Sequence, residues 1–166
     1  MGSKVACHDP SRSSNGRLFT KGREQMIANL HSLTTLQAEW QGVVRMRERM
    51  RQLIFSTFAF DTIKSPAFGD ILYNLPLLLA FDVLKQALLQ VKKEEGLTSS
   101  SPRELDDLMD SAKTSVPWIN WQFLREAVKH RKEVAQNGKL YGDVQCLQDI
   151  ADIETQLTAW GIITAT

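Results

Sequence analysis

The sequence predicts an all-α fold: a single bundle of four to five helices with a long first helix. Apolar residues return at every third or fourth position through five separate stretches, while glycine, proline and asparagine punctuate the gaps. No stretch shows the strict alternation of a half-buried strand, and no internal repeat is present. A length of 166 residues with 43% hydrophobic content suits one buried core rather than two.

Residues 1–20, rich in Ser, Gly, Asn and Arg, read as a flexible leader with too little apolar surface to offset its ordering entropy, and residues 21–166 as the single domain. From Arg23 the spacing of Ile27, Leu30, Leu33, Trp40, Val43, Val44, Met50 and Leu53 predicts a helix that ends before Lys64-Ser65-Pro66. A second helix begins near Phe68 to Asp70 and runs through Leu72, Leu75, Leu79, Val83, Leu84 and Leu88 to Gly96. Its run of leucines predicts burial on most sides, and Pro76 either kinks it or marks its true start. Ser101-Pro102-Arg103-Glu104 has the form of an N-cap followed by a helix-starting proline, predicting a short acidic helix to about Lys113. Pro117 is expected to start a fourth helix through Trp118, Trp121, Leu124 and Val128, stopping at Asn137-Gly138. The fifth, from Asp143 to Trp160, carries Leu147, Ile150, Ile153 and Leu157 on one face and closes at Gly161.

Composition narrows the chemistry. Twenty Lys and Arg against 19 Asp and Glu leave no global field to attract nucleic acid or a membrane, so any such affinity is local. Cys7 and Cys146 cannot build a disulfide framework, which fits a reducing compartment. With only His8, His31 and His130 beside them, no zinc site and no cofactor is expected. The first 20 residues lack the apolar stretch of a signal peptide, and the most apolar segment, residues 75–84, is far shorter than the ~20 residues of a membrane span. A soluble cytoplasmic protein that makes no membrane contact is therefore expected. No phosphate-binding glycine loop, histidine pair four apart or nucleophile elbow is present. Asp61, Asp70 and Asp82 lie in apolar surroundings without a metal-binding spacing, so exposure or capping is their expected role.

The remaining signals are basic. Arg45 with Arg49, and Arg47 with Arg51, form two four-residue pairs on the first helix. They could contact phosphates, or form a solvated face opposite Glu104, Asp106, Asp107 and Asp110. On the fourth helix and just after it, Arg125, Lys129, Arg131, Lys132 and Lys139 stand against Glu126 and Glu133, a local excess of three positive charges before any on His130.

The stretch KHRKEVAQNGKLYGD (residues 129–143), followed by the amphipathic CLQDIADIETQLTAWGII, resembles the C-terminal half of a HEPN domain. YNLPLLLAFDVLKQALL (residues 73–89) resembles that family's buried central helix, so the resemblance covers residues 73–163. It implies an up-down helical bundle whose fourth helix carries an arginine, four to six intervening residues and then a histidine. It also implies metal-independent endoribonuclease chemistry at a site composed across a homodimer, with attack by the ribose 2′-hydroxyl.

Carried over residue by residue, Arg131 takes the arginine position, Lys132 stands where asparagine is common, and Gln136 stands where histidine is expected. The departure matters chemically. A neutral imidazole accepts a proton near neutral pH, whereas a carboxamide only exchanges hydrogen bonds. In this register Lys129, Lys132, Asn137 and Lys139 are the substrate-binding candidates. A second register, Arg125 with His130, keeps the literal spacing but sets the groups about 7.5 Å apart along the axis and roughly 140° around it. His130 can equally be a surface histidine between Glu126 and Glu133, and Gln136 a helix-end residue.

Trp121, Tyr141 and Trp160 are assigned to core packing, with Trp118 the one aromatic left open for stacking on a base. The expected function is that of a HEPN-like RNA- or nucleotide-associated protein, in a toxin-antitoxin or defence setting, with a degenerate ribonuclease centre. An antitoxin nucleotidyltransferase is the implied partner. The alternative is a non-catalytic dimerising helical adaptor or regulatory subunit.

Overall fold

A computed structural model describes residues 26–59, 72–96 and 104–164, which form five helices and no strand. They are α1 (Leu30–Ala59), α2 (Asn74–Glu94), α3 (Leu105–Ser111), α4 (Trp121–Asn137) and α5 (Asp143–Ala159). The protein is an all-α helical bundle. Its centre is α2, which packs against each of the other four. Leu77, Ala80, Phe81, Leu84, Ala87 and Leu88 are fully buried, so the helix is covered on most sides, as the leucine run predicted, with Leu75 left exposed. By length and composition α2 could cross a membrane, yet 56% of its apolar window is buried inside the bundle, the pattern of a core helix.

The starts of α1 and α4 depart from the sequence expectation, whereas α4 and α5 stop where the sequence places their ends. The first helix begins at Leu30 rather than near Arg23, because residues 26–29 bond elsewhere. The Met26 N–H donates to the Trp160 carbonyl at 3.1 Å, and the Ala28 and Asn29 N–H groups donate to the Glu94 carboxylate at 2.7 and 3.2 Å. Asn29 then caps α1, its Oδ1 accepting from the Ser32 N–H at 3.0 Å. Ile27 is buried, but on this lead-in and not on a helix.

Pro76 lies in the first turn of α2, where its missing N–H has no intrahelical partner to lose, so it marks the start and not a kink. The proposed onset at Phe68 to Asp70, the end of the first helix near Lys64, and the Ser101-Pro102 cap lie outside the described residues, as do Asp61, Asp70, Cys7 and His8. The acidic helix is shorter than expected and ends at Ser111.

Helix α4 begins at Trp121, four residues after Pro117. The Pro117 carbonyl accepts from Gln156 Nε2 at 3.1 Å and Trp160 Nε1 at 2.9 Å, while the Ile119 N–H donates to Gln156 Oε1 at 2.9 Å. These bonds hold residues 117–120 as a non-helical strap across α5. Gly138 (φ 64°) and Gly161 (φ 67°) terminate α4 and α5 in the left-handed region that favours glycine. Trp118 is half-buried against the core: it meets Trp121 and Trp160 edge-to-face at 4.9 and 5.1 Å and donates from Nε1 to the Ala112 carbonyl at 3.2 Å.

Glu94 makes the lead-in pH-sensitive. The Ala28 N–H, then the Gln90 amide and the Asn29 N–H, hold its carboxyl below the usual glutamate range. A depressed folded-state value gives stability that is complete above the unfolded value, about 4.3, and lost as pH falls through the folded value. Glu94→Gln is therefore expected to lower stability at neutral pH, with the gap from the parent closing in acid. Urea titrations along a pH series measure it, and a gap independent of pH would refute the assignment.

Candidate anion site on helix α4

Leu124, Ala127 and Val128 turn one face of α4 into the core; Arg131 continues that face one turn on, and Arg125, Lys129 and Lys132 lie on one side of it. On the flank towards α2 and α3, Arg125 Nη1 lies 3.3 Å from Asp110 and 3.8 Å from Asp106, with its guanidinium over the Trp121 ring at 5.7 Å. Arg131 Nη2 lies 3.7 Å from Asp82 of α2, and Lys132 Nζ 3.6 Å from Glu104. Further round towards solvent Lys129 pairs with Glu126, and past the helix end Lys139 pairs with Glu133, both at 2.7 Å. Glu104, Asp106 and Asp110, three of the acids that the sequence set opposite the α1 arginines, thus face α4 instead. Arg47 of α1 reaches Glu154 of α5 at 3.7 Å, and Arg51 binds Glu48 on its own helix at 2.9 Å.

Arg131, Lys132 and Gln136 line one cavity of about 150 Å³, completed by Val128, by Lys85 of α2 and by Glu104, Leu105 and Asp106. Both positions of the first register, Arg131 and Gln136, are brought together here. Arg131 Nε is buried with no hydrogen-bond partner among the described residues. A buried donor left without an acceptor is costly. The competing ion pairs are long and exposed, with the Asp82 side chain 64% accessible, so displacing them costs little. Lys132 shares this cavity. Lys129, Asn137 and Lys139 do not line it.

The second register is not assembled within the chain: Arg125 reaches α3, whereas His130 reaches α5. His130 Nδ1 lies 2.8 Å from Asp149 Oδ2 and its side chain is only 15% exposed, so it is not the surface residue that Glu126 and Glu133 suggested. Gln145 Nε2 donates to the other Asp149 oxygen at 2.8 Å. Burial pushes the Asp149 carboxyl up, opposed by the bonds from His130 and Gln145. The His130 ring also packs on Tyr141 at 4.4 Å.

Tyr141 belongs to a structural clasp. Its phenol donates to the Glu133 carboxylate, which Lys139 also holds, and Lys139 Nζ sits 4.8 Å over the Tyr141 ring. The Lys139 bond, then the phenol, keeps the Glu133 carboxyl low, while burial, then the Glu133 bond, raises the phenol. The buried Asn74 fixes the Tyr141 backbone at both its N–H (3.1 Å) and its carbonyl (2.9 Å). Lys139 is occupied in this clasp.

Sequence reasoning missed Asp149, Asn74 and Gln156. A signal for two of them was present: Asp149 and Gln156 fall on the same face of α5 as Cys146, Ile150, Ile153 and Leu157, and polar residues on a buried stripe imply buried partners. Among the described residues, no three His, Cys, Asp or Glu side chains gather as a metal site. Compared with models of protein families, with curated proteins and with solved structures, the chain finds no match.

Proposed function

We propose that this chain is a HEPN-like RNA- or nucleotide-associated protein that holds phosphate on α4 and lacks a working ribonuclease centre. The observation that carries this reading is the shared cavity of Arg131 and Gln136, with Lys85 and Lys132 beside them and Arg131 Nε buried without a partner among the described residues. Such a cavity offers cations and amide donors to a phosphodiester. It offers no imidazole, because His130 is bonded to Asp149 between α4 and α5. The substrate would be bound and left intact.

The same reading includes a homodimer. Ile119 and Phe123, 64% and 67% exposed around the start of α4, are apolar surface that a second copy could cover. A cytoplasmic setting, a toxin-antitoxin or defence role and an antitoxin nucleotidyltransferase partner follow from the resemblance and belong to the proposal alone.

The test is fluorescence anisotropy with labelled single-stranded RNA at several salt concentrations. Affinity is expected to fall with salt, and Arg131→Ala to weaken binding and reduce the salt slope by about 1. Lys129→Ala, at a side chain held by Glu126 outside the cavity, is expected to change binding little. Affinity insensitive to salt would refute phosphate contact.

One observation favours the non-catalytic adaptor or regulatory subunit instead. Arg125, Lys129, Arg131, Lys132 and Lys139 each sit within 3.8 Å of a carboxylate oxygen, so intramolecular pairs already offset the local charge excess. On that reading the parent chain binds no RNA at any salt concentration.

A further inference from the structure

We propose that the groove between α1 and α2 is a docking site for the chain's own N-terminal segment, residues 17–23 (RLFTKGR), which lie outside the described residues. The groove encloses about 580 Å³. Val43 and Met46 of α1 and Leu79 and Val83 of α2 line it with apolar surface, and Met46 and Leu79 are only half-buried. Glu39 and Asp82, both exposed, stand along it against Lys85. An occupant that is apolar and positively charged matches this lining.

A second cavity, of about 170 Å³, shares Glu39 and Gln86 with the groove and continues it to His31 and Gln90. Gln90 Nε2 donates at 2.7 Å to Glu94, the carboxylate that receives the Ala28 and Asn29 N–H groups. The furrow therefore begins beside the lead-in of residues 26–29, where the N-terminal segment joins the bundle. In that segment Leu18 and Phe19 are adjacent and apolar, and Arg17, Lys21 and Arg23 surround them with no acid in the stretch. Fully extended, the chain from Phe19 to Met26 spans up to about 23 Å. The axis of α1 from Leu30 to Gly42 is about 18 Å long, so Phe19 reaches the apolar part of the groove. A segment with too little apolar surface to order itself can order against a groove that supplies the rest. Tethering also holds it there at an effective concentration that a free partner of the same sequence would not match.

Photocrosslinking of the full chain, with p-benzoyl-phenylalanine in place of Phe19, tests this. Irradiation is expected to join position 19 to Met46 or Leu79 of the same chain, as located by mass spectrometry of the monomer band. Reversing the charge of both exposed acids, Glu39→Lys with Asp82→Lys, is expected to lower the yield about fivefold with little change in melting temperature. High salt is expected to lower the yield in the chain that keeps both acids. Adducts formed only between two chains, and lost on dilution, would make a second copy the occupant and overturn the intramolecular site. Adducts confined to surface outside the groove, or a yield indifferent to both the charge reversal and salt, overturn it as well.

Discussion

Trp160→Ala is expected to destabilise the domain by about 3–5 kcal/mol, the range for deleting a large buried aromatic. Trp160 is fully buried at the end of α5 and serves three connections. Its indole N–H donates to the Pro117 carbonyl at 2.9 Å, its ring meets Trp118 at 5.1 Å, and its backbone carbonyl accepts from Met26. Only the first two depend on the side chain. Their loss removes one of the bonds that hold the strap ahead of α4, leaving those from Gln156, and opens a cavity in the core. Against a total stability of about 5–15 kcal/mol, the variant is expected to be marginally folded. Guanidinium titration measures it, with Val144→Ala as the exposed control expected within about 0.5 kcal/mol of the parent. A Trp160→Ala cost below about 1 kcal/mol would show that the C-terminal end of α5 is not core.

Gln136→His is expected to raise metal-independent RNA cleavage by about 10²- to 10⁴-fold over the parent chain, the usual contribution of a positioned general base. On the proposed reading, Arg131 can stabilise charge developing on the phosphate, and the carboxamide beside it cannot take the 2′-proton. An imidazole in its place can, so cyclic phosphate ends should accumulate without added metal. The double variant Gln136→His with Arg131→Ala is expected to lose the gain, which separates an assembled site from contaminating nuclease. If the parent cuts RNA and His130→Ala abolishes the cutting, the working pair is Arg125 with His130, composed across two subunits.

The contrast between helix stops and starts shows what a sequence can carry. Gly138 and Gly161 end their helices by a local backbone requirement, visible in one residue. The starts of α1 and α4 are set by acceptors remote in the chain: Glu94 binds Ala28 from 66 residues away, and Gln156 binds Ile119 from 37. No local pattern around Arg23 or Pro117 contains that information. The candidate site divides in the same way. Arg131 and Gln136 lie on one helix, and the motif spacing brings them to notice. The carboxylates that pair with these basic residues, Asp82 of α2, Glu104 just before α3 and Asp110 of α3, come from elsewhere in the chain, so the neutralisation is a property of packing. Asp149 was legible on its buried stripe; its partner His130, on another helix, was not.

The central claim is that Arg131, in the cavity it shares with Gln136, receives a phosphate oxygen. Nuclear magnetic resonance of the Arg131 Nε–H group during titration with single-stranded RNA tests it most directly. The account predicts that this resonance and the Gln136 side-chain amide shift together and saturate while the RNA remains intact. Saturating shifts confined to the Lys129 and Lys139 surroundings, with Arg131 Nε–H unmoved, would contradict it.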